Sequence, residues 1–111
     1  MTAKLPEIGE LRHQLVFQTP SDTPDGAGGA SRTWNTVATL WAAISSASVS
    51  ERRISEHLDG VVTHVITLRY RTDISGGQRF LSGARIFRIL AAFDPDERRR
   101  FIQCRVEEEG R

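Results

Sequence analysis

Several groups of residues in this 111-residue chain are of types that could do chemistry. The run Asp25-Gly26-Ala27-Gly28-Gly29 has the backbone freedom to cradle a phosphate, but no Gly-Lys-Ser/Thr follows it and no helix starts there, so it is not a phosphate loop. Ser21, Asp22 and Asp25 could gather a hard cation, yet the spacing and the closing Glu of an EF-hand are missing. His13, His57 and His64 fall in no metal-ligand spacing, and His64, on an apolar strand face, reads as a hydrogen-bonded core or interface histidine. Cys104 is the only cysteine; it alternates with Ile102 and Val106 and reads as a small buried apolar residue, with no neighbouring base marked out to activate it. These residues point away from an enzyme and require neither a metal nor a cofactor.

Charge narrows the partners. Net charge is +1, which argues against a dedicated nucleic-acid binder. Residues 69–88 nevertheless carry Arg69, Arg71, Arg79, Arg85 and Arg88 against Asp73 alone, a local excess of +4, so the other 91 residues sum to −3. Such a band can contact DNA phosphates or an acidic partner, and it can also be a solvated strand face. A nucleic-acid module would pair it with exposed aromatic rings for stacking, and the rings inside it are few: Tyr70, Phe80 and Phe87. A single cysteine excludes an internal disulfide and fits synthesis in a reducing cytoplasm. No stretch has the length of a signal-peptide core or a membrane span, so the chain reads as soluble, with no membrane partner.

The elements that must position these residues are mostly strands. The chain reads as one domain, 1–111, with a core over 12–107 and an acidic, solvated end that leaves 108–111 as a tail. Strands are expected over residues 12–19, 33–45, 61–71, 78–81, 85–93 and 99–107. Leu11, His13, Leu15 and Phe17 share one face of the first strand, which Pro20 should end. On the second, strict alternation groups Trp34, Thr36, Ala38, Leu40, Ala42 and Ile44 against Val37, Thr39, Trp41 and Ala43. On the fifth, Phe87, Ile89, Ala91 and Phe93 group together. Residues 48–59 change period: Ser48 and Glu51 suggest a capping box and Gly60 a stop, giving one short helix. Residues 20–32, PSDTPDGAGGASR, form a long polar loop of Gly, Ser, Asp and Pro, far beyond the two to five residues of a hairpin turn. The fold class is mainly β, a small barrel or sandwich of about six strands with one short helix and a long flexible loop between the first two strands.

Certain segments carry a family resemblance: Ile8-Gly9-Glu10-Leu11-Arg12-His13, Asp25 to Gly29, Trp34 to Ala42, Thr63 to Arg71, and Phe87-Arg88-Ile89-Leu90 followed by Asp94-Pro95-Asp96. In their order and spacing they resemble phage head-tail joining proteins of the head-closure or stopper type, found in the necks of tailed phages, prophages and gene transfer agents. The resemblance implies a homo-oligomeric ring, hexamer or dodecamer, below the portal or adaptor. Such a ring retains packaged double-stranded DNA and docks a tail terminator or tail tube. It would be made in the bacterial cytoplasm and end in the neck of the particle. Carried onto this chain, the channel loop would include Asp22, Asp25, Gly26, Ala27, Gly28 and Gly29, opposing DNA by bulk and by negative charge. Interface candidates are Trp41, Arg52, Arg53, Glu56 and Tyr70. The alternatives are a small-barrel nucleic-acid-binding module using the arginine band, or an adaptor or tail-terminator role in the same neck.

Overall fold

A computed structural model of the protein describes residues 11–50 and 60–110. Six antiparallel strands follow in chain order: β1 (His13–Pro24), β2 (Ala30–Ser46), β3 (His64–Arg69), β4 (Arg79–Ser82), β5 (Arg85–Phe93) and β6 (Phe101–Glu108). They are ordered β1-β2-β3-β6-β5-β4, and β4 returns to β1 through the pairs Val16–Leu81, Phe17–Phe80 and Gln18–Arg79. The sheet thereby closes into a barrel in which each strand has a partner on both sides over part of its length.

Alternation fills the interior. Leu15, Phe17, Ala42, Ile66, Leu68, Phe80, Phe87, Ile89, Ile102, Cys104 and Val106 point inward and are buried, and Ile74, from the segment between β3 and β4, packs in the same cluster. The Phe17 and Phe80 rings meet at a centroid distance of 5.6 Å. Burial raises the Cys104 thiol well above its ordinary pKa, which leaves it an inert core residue.

Two bulges break the period-2 grouping. On β2, Ala38 pairs with Phe17 but Thr36 pairs with Gln18, so Val37 is the extra residue. Cross-strand partners share a face, so Thr36 and Trp34 lie with Gln18 and Pro20, opposite to the face that Leu40, Ala42 and Ile44 turn to the core. On β5, Leu90 is the extra residue, and Ala92 rather than Ala91 packs on the core. Gly76 lies against this second bulge: a Cβ there would stand 2.9 Å from the Leu90 carbonyl oxygen.

The end of β6 also differs from expectation. The strand runs one residue further than expected, to Glu108, which is buried, so the exposed end begins at Glu109. Arg85 supplies the reason, because its guanidinium donates to both Glu108 oxygens at 2.8 and 3.0 Å. Val49 and Ser50 are helical, and the remainder of the expected helix, 51–59, lies outside the described residues, as do residues 1–10.

Candidate functional site

The largest departure from the expected fold is also the candidate site. Residues 20–32 are not a flexible loop. β1 continues through Pro20 to Pro24, β2 begins at Ala30, and the two arms pair without a break from Gln18–Thr36 to Pro24–Ala30. Seven residues per arm beyond the bulge extend about 24 Å at roughly 3.4 Å each. The result is a two-stranded ribbon standing off the barrel.

Its turn, Asp25–Gly29, is held by one side chain. Asp25 Oδ1 accepts hydrogen bonds from the Ala27 N–H at 2.8 Å and the Gly29 N–H at 3.2 Å, while the Asp25 N–H donates to the Gly29 carbonyl at 3.2 Å. Gly26 and Gly28 sit at φ of 82° and 85°, where a side chain would be strained. Asp25 is therefore a turn former rather than a cation ligand. Among the described residues no group of three or more metal-ligating side chains comes together.

The ribbon has two different faces. One carries the pairs Thr19–Asn35, Ser21–Thr33 and Thr23–Ser31, all hydroxyl or amide side chains. The other carries Pro20–Trp34, Asp22–Arg32 and Pro24–Ala30. Arg32 donates to Asp22 through two bonds of 2.8 and 3.2 Å, which holds the Asp22 carboxyl below its usual range. Asp22 and Asp25 against Arg32 leave the ribbon a net charge of only −1. Repulsion of phosphates by this segment is thus weaker than the sequence suggested, since half of its negative charge is cancelled in place.

The root of the ribbon is braced where it leaves the barrel. The Arg79 guanidinium lies 4.1 Å from the centre of the Trp34 ring and donates to Gln18 Oε1 at 2.8 Å. Gln18 in turn donates to Thr36 Oγ1 at 3.1 Å. Nothing in the sequence marks Gln18, Trp34 or Thr36 as a site residue. Strict alternation placed Trp34 and Thr36 with the core residues, and only the bulge at Val37 brings them onto the face of Arg79.

Beside the root, β2 parts from β3. β3 pairs with β2 only from Ala42 to Ser46, and a shallow groove with about 290 Å³ of space opens where they diverge. Thr39, Leu40, Trp41, Leu68, Arg69, Tyr70 and Arg71 line it. Trp41 is 56% exposed, whereas Tyr70 packs partly on the core. These are two of the interface candidates; Arg52, Arg53 and Glu56 lie outside the described residues.

The arginine band is largely spent on internal contacts. Arg71 pairs with Asp73 at 2.7 Å, Arg85 with Glu108 at 2.8 Å and Arg88 with Glu107 at 2.7 Å. Arg79 braces Trp34, as described, and Arg85 also lies over Phe87. Arg69 alone of the five is exposed with no ion pair among the described residues, and it stands in the groove. His64 is built into the structure too, its Nδ1 lying 2.9 Å from Thr63 Oγ1 and its ring edge-on to Phe87.

Comparison with known proteins agrees with this architecture. The family model described as phage head completion protein matches residues 6–109. The solution structure of protein SF1141 from Shigella flexneri 2a superposes with a TM-score of 0.72 at 29% identity, over 95% of this chain and 98% of that one. A chain of the virion of a native gene transfer agent particle superposes with a TM-score of 0.62 at 30% identity, over 88% of this chain and 93% of that one. No curated protein sequence matches.

Proposed function

Because the chain belongs to the phage head completion protein family, a structural family, we propose that it works as a head-tail connector in a virion or gene-transfer-type particle. In this reading copies assemble as a ring below the portal or its adaptor, hold packaged DNA in the head and offer a surface to the tail. The observation that carries the reading is the braced ribbon, which reaches about 24 Å on one closed barrel at roughly 3.4 Å per residue. Ribbons from several copies around an axis would narrow a channel by their bulk, since each carries a net charge of only −1. A paired ribbon holds its direction where a thirteen-residue flexible loop would not, because every second residue is tied across the ladder.

The arginine band gives little support to a free nucleic-acid-binding role, because four of its five members are already engaged within the barrel. Adaptor and tail-terminator positions in the same neck remain variants of the connector reading, distinguished by which ring this one touches.

The test replaces residues 20–34 by an Asn-Gly turn that joins Thr19 directly to Asn35, leaving the barrel register unchanged. The shortened protein should fold and enter particles, and those particles should lose DNA on storage or fail to deliver it. Full heads with normal delivery would remove the ribbon from the mechanism. Normal tailed, DNA-filled particles made without the protein at all would overturn the connector role.

A further inference from the structure

The two outer edges of the ribbon differ in hydrogen-bonding capacity. The Asp25 N–H bonds to the Gly29 carbonyl, and in an antiparallel ladder residues alternate between facing the partner and facing away. Counting back from Asp25, Thr23, Ser21 and Thr19 face β2, so Pro24, Asp22 and Pro20 face outward. Both prolines thus stand where an N–H would have pointed at solvent. They cost the ribbon no hydrogen bond, and they leave Asp22 as the sole outward donor on that edge. The opposite edge keeps all its donors: Ala30, Arg32 and Trp34 face outward, and no backbone group among the described residues bonds to them on that side. No strand pairs with this side of β2 from Ala30 to Trp41 among the described residues, and most of that stretch is exposed.

Proteins usually blunt such edges, and here one edge is blunted while the other is open. The open edge runs directly into the groove beside Trp41, Tyr70 and Arg69. We propose that the free β2 edge from Ala30 to Leu40 is a strand-addition site, which takes an extended segment of another protein and seats an apolar residue and a neighbouring acidic residue of that segment in the groove. Main-chain bonds supply the affinity in such sites, and pockets for alternate side chains supply the choice of partner. Trp41, Leu40 and Tyr70 provide the apolar walls, and Arg69 provides the unspent positive charge.

A second copy of this chain is the poorer occupant. A like-oriented neighbour would present its β1 edge, where Pro20 and Pro24 remove two of the three outward donors. The site therefore selects a segment with a complete set of main-chain donors. The inference is independent of ring formation: a connector could lack strand addition, and strand addition could occur in a protein that forms no ring.

The test uses the full chain and a synthetic nine-residue peptide of alternating Thr and Val that ends in Leu-Asp. Binding should slow amide exchange of Ala30, Arg32 and Trp34 at least tenfold, leave Asp22 unchanged and shift the Trp41 emission to the blue. The same peptide N-methylated at alternate residues, so that it cannot pair, should not bind. Replacing its Asp by Lys should weaken binding about tenfold, and Arg69→Glu should reverse that preference. Absence of binding at millimolar peptide, protection on the Asp22 edge, or indifference to the charge swap would each overturn the proposal. Concentration-dependent protection of the same three amides without peptide would assign the edge to a second copy, and overturns it equally.

Discussion

The barrel and the ribbon are made of the same two strands, yet opposite forces hold them. Inside the barrel, β1 and β2 contribute Leu15, Phe17 and Ala42 to a closed apolar core, and every strand has a neighbour on both sides. Beyond Gln18 and Thr36 the same strands contribute nothing to the core and pair only with each other. An isolated two-stranded ribbon is marginal in water, so local devices must keep this one in place. Those devices are a tied-off turn, an ion pair across the ladder, and an arginine–tryptophan brace at the root. On this account the ribbon should loosen without unfolding the protein, whereas loosening the barrel should cost both.

The largest effect expected to separate the two regions lies in the core. Phe80→Ala removes a fully buried ring that touches Phe17 and should cost about 3–5 kcal/mol in denaturant unfolding, with ribbon and barrel signals lost together. A ribbon that outlived the barrel in that variant would show that it folds on its own. Arg79→Ala should cost less, about 1 kcal/mol from the lost cation–π contact and hydrogen bond. Its mark should be faster amide exchange at Thr19, Ser21 and Thr23, with Ile66 and Cys104 as slow as before. Equal acceleration in the core would mean that the root brace belongs to the barrel.

Acid should give the smallest effect, beginning in the ribbon and surface loops. Arg32 holds the Asp22 carboxyl below its ordinary value, chiefly by hydrogen bonding, and Arg71 does the same to Asp73. A carboxyl with a lowered folded pKa contributes stability that is complete above about pH 4 and is lost as the pH falls through the folded value. Titration from pH 5 to pH 2 should therefore move the Arg32 and Asp22 resonances before any core methyl shifts. Simultaneous movement would merge the two regions into one cooperative unit.

Much of this fold is legible in the chain. Regular alternation marks β3 through Ile66 and Leu68 and β6 through Ile102, Cys104 and Val106, and β5 runs over 85–93 as its turn signals indicate. The ribbon is hidden for a definite reason. Pro20 reads as the end of a strand, because proline is costly wherever a ladder needs its N–H. Whether the ladder needs it depends on which way residue 20 faces, and that is set by the partner strand across the turn. The spacing of Pro20 and Pro24 was the available clue: four residues apart, they share one face and one hydrogen-bonding phase of a strand. The bulges at Val37 and Leu90 are silent in the sequence for a similar reason, since an extra residue shows only against its unbulged partner.

The hydroxyl face of the ribbon has a consequence for movement rather than for holding. Thr19, Ser21, Thr23, Ser31, Thr33 and Asn35 offer hydrogen bonds but no charge. A duplex drawn across such a face would exchange water for hydroxyl contacts and displace almost none of its condensed counterions, so contact there would gain nothing from the entropy of ion release. Friction would stay low and nearly independent of ionic strength. In the proposed connector, ribbons of this kind would act as a sliding bearing for DNA in motion, and as an obstruction only when their tips meet.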